Sequence, residues 1–289
     1  MKILFLLGFF ILSLFGQKVE LEILGSGGPE IDGRASSFYI LWIDDKAKLL
    51  VDMGSGSMLG FEKSSAKLED LEAVVLTHLH IDHSVDLPSF VKAGFFTPRT
   101  KALEIIGPFG NESFPSVSEY LLKLFGKDGV YKYMQDVLTP QSDSFEILPF
   151  EVASDTITTK KYQNFELQLI SVHHGIVPAL ALRINVDGKS ILISGDTNNQ
   201  NKHIDKIAKN SDLFIAHHAI TQHAGKFAKD LHMQPREIAK IASDASIKKV
   251  VLSHRMKRTL MHEEESLKII NTLFMGEVIF AQDGMKLKL

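Results

Sequence analysis

Cysteine is absent from this chain of 289 residues. Its absence excludes disulfide bonds, thiolate metal ligands, a cysteine nucleophile and a lipid-modified cysteine. Any metal site must therefore be built from imidazole and carboxylate groups, which the 12 histidines and 35 acidic residues can supply.

A surplus of positive charge is also lacking, since 32 lysines and arginines stand against 35 aspartates and glutamates, for a formal net charge of −3. Proteins that bind nucleic acid usually carry a basic surface that meets the phosphates. We therefore do not expect a nucleic-acid partner, although whole-chain totals do not exclude a local basic patch.

Long apolar runs are confined to the start of the chain. Lys2 precedes an apolar run over residues 3–12, and the small residue Gly16 lies at a suitable cleavage point. This pattern predicts a secretory signal peptide over residues 1–16, and hence a periplasmic or secreted protein. Two alternatives stay open: an uncleaved membrane anchor, because Leu14 fits the cleavage pattern poorly, and a buried first strand or helix. We expect no other membrane span, because no later stretch is long and apolar enough.

From residue 17 onward, the front half of the chain has the pattern of short strands with turns, and the back half alternates helices with strands. Asp44-Asp45 and Asp187-Gly188 predict β-hairpins. No linker or repeat divides the chain, so we predict a single α/β domain over residues 17–289. Residues 95–145 are punctuated by proline and glycine, and we interpret them as an insertion or cap over the core.

One pattern recurs five times along the chain: an apolar, strand-like run ends abruptly in histidine or aspartate. The residues at these ends are His78, His173 and His174, Asp196, His217 and His218, and His254. Buried strands of α/β proteins are apolar throughout, and ligands bind outside their carboxyl ends. One such histidine is more often an ordinary surface residue, but the recurrence indicates a metal site at one rim of the fold.

The densest part of the pattern is "THLHIDHS", which follows the apolar run "AVVL". His78 and His80 are two residues apart, so in an extended segment both side chains point to the same side. Asp82 and His83 follow directly, so one short loop can serve two nearby ions. The remaining ligands must come from the other strand ends.

These residues resemble the metallo-β-lactamase superfamily, whose metal motif His-x-His-x-Asp-His is matched fully. The likeness extends to "LLVDMGSG", "VHHGIVPALALRI", "ISGDT" and "VVLSH", and "ILGSGGPEIDGRASSFYI" is similar to the opening of the ribonuclease Z-like branch. That branch also includes secreted arylsulfatase-type hydrolases. The resemblance implies a four-layer αββα sandwich with metals at one edge, and dimers are common in the branch.

The resemblance also implies a set of seven ligands for two ions, one of them bridging. His78, His80 and His174 would hold one ion, Asp82, His83 and His254 the other, and Asp196 would bridge them. The family pattern Val-x-His-Gly favours His174 over His173, which stays an alternative. Asp52 is expected to support the loop by hydrogen bonds.

The chain departs from ribonuclease Z in two places. "HHAI" and "LHMQ" stand where those enzymes carry His-Glu-Ala-Thr and His-Ser-Thr, so His218 replaces a glutamate while His232 remains. The long basic arm that binds tRNA is not evident either. We therefore do not expect a role in tRNA maturation.

The expected chemistry is that of an exported, metal-dependent hydrolase with a small-molecule, ester-type substrate. Two divalent ions would hold a bridging hydroxide that attacks a phosphodiester, sulfate ester or lactone; Zn²⁺ fits these ligands best, with Mn²⁺ or Fe²⁺ as alternatives. The expected catalytic residues are Asp82, His232 and His217, and the two histidines would protonate the leaving group or orient the substrate. The alternatives are a ribonuclease Z-like phosphodiesterase acting on RNA and a metal-binding module without hydrolytic activity.

Overall fold

Two seven-stranded β-sheets form the framework of the protein in a computed structural model that describes residues 16–140, 142, 144–153 and 155–289. The predicted signal peptide lies outside the described residues, except for Gly16, and export stays a prediction. Among the described residues, no helix combines the length and apolar character that a membrane span needs.

The strands in chain order are β1 Val19–Gly25, β2 Phe38–Ile43, β3 Lys46–Val51, β4 Ala73–Val75, β5 Leu103–Pro108, β6 Ile147–Val152, β7 Thr158–Lys161, β8 Glu166–His174, β9 Val177–Val186, β10 Lys189–Ile193, β11 Leu213–His217, β12 Lys249–Ser253, β13 Glu277–Phe280 and β14 Met285–Lys288. The helices are α1 Ser57–Ser64, α2 Ile81–Ser84, α3 Leu87–Gly94, α4 Val117–Phe125, α5 Asp205–Ala208, α6 Lys226–Leu231, α7 Pro235–Asp244, α8 Lys257–Leu260 and α9 Glu263–Ile270. Short 3₁₀ helices occupy Leu68–Asp70 and Lys132–Leu138.

Each sheet combines an antiparallel part with a parallel part. The first has the order β14-β1-β2-β3-β4-β5-β6, and the second has the order β13-β12-β11-β10-β9-β8-β7. The predicted hairpins are confirmed: β2 pairs antiparallel with β3 across Asp44-Asp45, and β9 with β10 across Asp187-Gly188. All four turn residues have positive φ, between 45° and 75°, the conformation that such tight turns require.

The two sheets pack face to face around a shared core. Along β10, Ile191 and Ile193 face the other sheet, while Leu192 packs against the helices on the outer side. In β4, Val75 faces inward and Val74 packs against the helical layer of the first sheet. Because both faces of these strands are buried, their sequences are apolar throughout. The predicted αββα sandwich is confirmed.

The prediction that residues 95–145 form an insertion or cap is wrong. Within this range, β5 lies inside the first sheet, paired in parallel with β4 on one side and with β6 on the other. Helix α4 covers the outer face of the same sheet and buries Val117, Leu121 and Phe125. Apart from Gly107 and Pro108, which end β5, the prolines and glycines of this range lie between regular elements and do not mark a departure from the core. The boundaries of a single domain over residues 17–289 stay a prediction.

Candidate metal centre

The strands that end in histidine or aspartate bring these residues to one edge of the sandwich. Strand β8 is antiparallel to β9, which is antiparallel to β10, and β10, β11 and β12 are parallel. Strands β8, β10, β11 and β12 therefore run in the same direction, and their carboxyl ends meet at one edge. His78 follows β4 of the first sheet and reaches the same place.

His254 needs an unusual backbone conformation to join the others. Along β12, Val251 faces the other sheet and Val250 and Leu252 face the outer helices, so continued alternation would turn His254 outward. Its φ of +50° interrupts the extended chain at this residue. A left-handed non-glycine residue costs roughly 1–3 kcal/mol and is typical of functional sites.

The first group of potential ligands consists of His78, His80 and His174, whose ring nitrogens all lie within 4.8 Å of one another. Nε2 of His78 and Nδ1 of His80 lie 3.0 Å apart. His173 points elsewhere, because consecutive strand residues face opposite sides, and its Nε2 lies 3.5 Å from Oδ1 of Asp230.

The second group consists of His83, Asp196, His217 and His254, again with ligand atoms within 4.8 Å of one another. Asp82 adjoins this group: its Oδ2 lies 3.1 Å from Nε2 of His254 and 3.6 Å from Nε2 of His83. The loop "HLHIDH" therefore contributes to both groups.

Asp196 lies between the two groups, and its two carboxylate oxygens have different neighbours. Oδ2 is 3.8 Å from Nε2 of His174 in the first group, and 3.8 Å and 3.6 Å from Nε2 of His83 and His254 in the second. Oδ2 also lies 3.7 Å from Nδ1 of His232. Oδ1 lies 2.8 Å from Nδ1 of His217.

The spacing of these atoms suits metal coordination better than hydrogen bonding. Nε2 of His83, Nε2 of His174 and Nδ1 of His232 are buried and have no hydrogen-bond partner among the described residues. Leaving such an atom unpaired costs about 1–3 kcal/mol. Ligands ~2.1 Å from one tetrahedral ion lie roughly 3.4 Å apart, close to the separations around Asp196. The residues therefore fit divalent metal ions.

Burial sets the protonation of most of the cluster. It lowers the pKa of His78, His80 and His174, and it lowers the pKa of His232 to about 3, so these imidazoles are neutral, the form that binds metal. For Asp196, burial alone would raise the pKa, but the neighbouring His254 holds it well below its usual range. The carboxylate is therefore ionised.

Asp52 holds His83 in place from behind. This fully buried carboxylate accepts hydrogen bonds from the Thr77 backbone N–H (2.7 Å), from Nδ1 of His83 (2.7 Å) and from the Ser37 hydroxyl (3.0 Å). With Nδ1 bound to Asp52, Nε2 of His83 faces Asp82 and Asp196. Such carboxylate–histidine pairs are typical of metal sites, where they orient the ligand.

His217 and His218, adjacent at the end of β11, separate into different environments. The His217 ring is 1% exposed and contacts Asp196 through Nδ1 and the Tyr39 hydroxyl through Nε2, at 3.0 Å. This geometry does not place His217 where it could protonate a leaving group. Nε2 of His218 instead lies 3.0 Å from the Ser266 hydroxyl of α9, away from the cluster.

His232 joins the cluster through the short helix α6. At the end of this helix its backbone N–H donates to the carbonyl of Ala228, and the carbonyl of the preceding Leu231 lies 2.8 Å from Nδ1 of His174. The same segment thus positions His232 and orients His174. Sequence reasoning missed Tyr39 and Ser253, which line the buried side of the cluster. Both lie within segments that carry the resemblance, but neither is a residue type that binds metal in this family pattern, so neither was singled out.

Comparison with known proteins assigns the family. A family model described as "Anti-Pycsar protein Apyc1" matches residues 19–273. The chain belongs to this Apyc1 family. A Ribonuclease Z from Enterococcus faecalis (strain ATCC 700802 / V583) is 26% identical, and the alignment covers 92% of this chain and 99% of that protein. A Ribonuclease Z from Mycobacterium bovis (strain BCG / Pasteur 1173P2) is 28% identical, with 92% and 96% covered.

Solved structures share the fold of this Apyc1 family member. The metallo-β-lactamase fold protein YhfI from Bacillus subtilis superposes with a TM-score of 0.73 at 21% identity, over 93% of this chain and 99% of that one. Human tRNase Z, short form, gives a TM-score of 0.68 at 20% identity, over 93% and 98%. Zn²⁺-bound PqqB from Methylobacterium extorquens gives 0.66 at 14%, over 93% and 100%.

These findings confirm the metallo-β-lactamase superfamily and its ribonuclease Z branch, and the chain is a metal-dependent hydrolase. They also overturn one expectation. Nucleic acid was not expected as a partner and a small-molecule ester was expected as the substrate, whereas the curated relatives are ribonucleases, which act on RNA. The expectation was wrong because a net charge of −3 sums over the whole surface and carries no information on the polarity of one local region.

Proposed function

We propose that this protein hydrolyses phosphodiester bonds with two divalent metal ions held by the histidine–aspartate cluster. The observation that carries the proposal is the position of Oδ2 of Asp196, which lies 3.6–3.8 Å from imidazole nitrogens of both ligand groups. On both sides of this oxygen lie buried imidazole nitrogens, Nε2 of His174 and Nε2 of His83, that lack a hydrogen-bond partner among the residues that the structure describes. Such an oxygen is suited to bridging two ions.

The ligand assignment follows from the two groups. His78, His80 and His174 would hold one ion, Asp82, His83 and His254 the other, and Asp196 both. Zinc is the ion that we propose, because neutral imidazoles and carboxylates without thiolates suit it. A structural neighbour of 14% identity contains zinc, which is consistent with this choice.

When bound, the ions would supply Lewis acidity and a water of lowered pKa. The chain's own residues then perform three tasks. Asp52 orients His83, the Leu231 carbonyl orients His174, and burial keeps His78, His80 and His174 neutral by lowering their pKa values. Nδ1 of His232 lies beside Asp196 without a hydrogen-bond partner in the described part of the chain, and we propose that His232 contacts the substrate there.

The relatives support the choice of a phosphodiester as the bond that this protein cleaves. The two curated relatives are named Ribonuclease Z, and the bond that a ribonuclease hydrolyses is the phosphodiester of RNA. RNA is therefore the first natural polymer to test. The identity of 26–28% leaves the particular substrate to experiment.

The test combines metal analysis with two phosphodiester reporters. Purified protein should contain about two zinc ions per chain, and it should cleave bis(p-nitrophenyl) phosphate and a 5′-labelled RNA. EDTA should abolish both activities, and zinc or manganese should restore them.

Asp196→Asn should lower both activities by more than ~100-fold and reduce the bound metal, because the neutral amide is a poor bridge. The matched control is His223→Ala, which removes an exposed histidine outside the cluster and should leave both readouts unchanged. A wild-type protein that binds no metal, or that is loaded with metal and cleaves neither reporter, would rule out the proposal.

A further inference from the structure

Four polar side chains form a continuous chain of hydrogen bonds that ends on Asp196. The Ser253 hydroxyl lies 2.9 Å from the Tyr39 hydroxyl, which lies 3.0 Å from Nε2 of His217. Nδ1 of His217 lies 2.8 Å from Oδ1 of Asp196. All four residues are buried, with at most 2% of their surface exposed.

The direction of each hydrogen bond follows from the chemistry of the groups. The Asp196 carboxylate can only accept, so Nδ1 of His217 must donate to it. In a neutral imidazole one ring nitrogen carries the hydrogen and the other accepts, so with the hydrogen on Nδ1 the Nε2 atom of His217 accepts. The single hydroxyl hydrogen of Tyr39 therefore goes to Nε2 of His217, and the Tyr39 oxygen accepts from Ser253.

We propose that Tyr39 and Ser253 are positioning residues that act through His217 on the bridging carboxylate of Asp196. They hold the ring of His217 in the tautomer with hydrogen on Nδ1, and this N–H occupies Oδ1 of Asp196. The inference rests on the proposed function insofar as Oδ2 is taken as a metal ligand.

The hydrogen bond from His217 prevents the Asp196 carboxylate from adopting a different binding geometry. With Oδ1 free, the carboxylate could turn about its Cβ–Cγ bond and bind a single ion through both oxygens. With Oδ1 bound to His217, only Oδ2 faces the two histidine groups. Tyr39 lies in a strand of the first sheet, His217 and Ser253 lie in strands of the second, and Asp196 follows β10 of the second. This chain of hydrogen bonds therefore also depends on how the sheets pack.

The experiment compares Tyr39→Phe, Ser253→Ala and two substitutions of His217. Metal affinity is measured by competition with a chromogenic zinc chelator, and folding by circular dichroism. Tyr39→Phe should fold and should bind zinc about 10–100-fold more weakly, as expected for the loss of a group that orients a ligand. Ser253→Ala should act in the same direction with a smaller effect, because it is one bond further from Asp196.

His217→Gln tests the donor and acceptor pattern directly. The glutamine amide can donate to Asp196 through its NH₂ and accept from Tyr39 through its oxygen, so zinc affinity should be retained largely, whereas His217→Phe should lose it. The matched control is Tyr162→Phe, which removes a tyrosine hydroxyl bound to Glu104, outside the cluster. It should leave zinc affinity unchanged.

The tautomer provides a readout that a purely structural role would not change. In wild-type protein, ¹⁵N NMR should show His217 with hydrogen on Nδ1, and in Tyr39→Phe this state should no longer be the single one. Wild-type protein with hydrogen on Nε2, or Tyr39→Phe with wild-type zinc affinity, would overturn the inference and leave the proposed function intact. Wild-type protein without bound metal would instead overturn the proposed function. If Tyr39→Phe does not fold, Ser253→Ala and the wild-type tautomer decide.

Discussion

His83 and His232 are both buried in the cluster, yet their pKa values move in opposite directions. Burial lowers the pKa of His232 to about 3. Burial acts in the same sense on His83, but Asp52 outweighs it with its charge and its hydrogen bond and raises the pKa to about 9. At the scale of single residues, one buried carboxylate behind a ring therefore decides where its protons lie.

Asp52 should consequently matter for metal binding although it faces away from Asp196. Asp52→Asn keeps the volume but removes the charge that holds the Nδ1 proton of His83, so zinc affinity should fall about 10–100-fold. A chelator competition assay measures the change. Ser37→Ala removes only one hydrogen bond to the same carboxylate and should cost much less. Equal zinc affinity in Asp52→Asn and wild type would contradict this role.

His218 should make the fold sensitive to acid. Burial, followed by the charge of Arg255, lowers its pKa to about 4, whereas an unfolded histidine has a pKa of about 6.5. As the pH falls from about 6.5 to about 4, the unfolded chain takes up this proton first, so the free energy of unfolding decreases by up to ~1.4 kcal/mol per pH unit.

The titration of His218 can be isolated by substitution. Urea unfolding of the metal-free protein at several pH values should show a shallower acid slope for His218→Gln than for wild type, with the difference appearing below pH ~6.5. His223→Gln, at an exposed position, serves as the control and should keep the wild-type slope. If the free energy of unfolding fell with acid equally steeply in His218→Gln and in wild type, His218 would not contribute to the acid sensitivity of the fold.

At the scale of elements, the turns after the strands position the ligands. Gly195 lies between the end of β10 and Asp196 and has φ of +56°. A Cβ at this position would overlap the carbonyl oxygen of Leu180. The turn that presents Asp196 to the cluster therefore requires glycine for two reasons, its backbone conformation and the space around it.

Gly195→Ala should lower the free energy of unfolding by more than ~2 kcal/mol, because the steric overlap adds to the cost of a left-handed alanine, ~1–2 kcal/mol. Gly188→Ala is the matched control, since Gly188 also has positive φ, +75°, and a Cβ there would meet no atom of the described residues within 4 Å. Gly188→Ala should therefore lower the free energy of unfolding only by the cost of a left-handed alanine. Chemical denaturation of both variants measures the difference, and equal losses would show that the overlap is relieved.

At the scale of the whole molecule, the cluster joins the two sheets. His78 and His83 follow a strand of the first sheet, while His174, Asp196 and His254 come from the second. Ions held between them would connect the layers at this edge. Because the separate ligands come together only in the folded chain, metal binding and folding should be coupled.

Metal removal should therefore lower the thermal stability of the protein. Ligand at 100 times its Kd stabilises a fold by about 2.7 kcal/mol, so EDTA-treated protein should melt several degrees lower and regain its Tm on addition of zinc. The shift should shrink below pH ~6, where protons compete for the histidines. Asp196→Asn should show a much smaller zinc-induced shift, and an equal one would argue that zinc binds elsewhere.

The strand ends and the resemblance predicted the ligand residues, because several of these residues lie within short, local stretches of sequence. The residues of "THLHIDHS" occupy one short loop, and the apolar runs before His174, Asp196 and His254 mark buried strands of an α/β fold. The same local reasoning failed at β5, whose neighbours β4 and β6 are distant in sequence. Its flanking prolines and glycines suggested a surface insertion, because the pairing that places it inside the sheet is not local.

By itself, the sequence determined the chemistry available to this protein: imidazole and carboxylate ligands without thiolates, at spacings that resemble one superfamily. The tertiary structure decided which member of each adjacent pair serves the cluster. His174 rather than His173, and His217 rather than His218, lie beside Asp196. Consecutive strand residues face opposite sides, so a shift of one residue would exchange them, and only the packing of the two sheets determines the register.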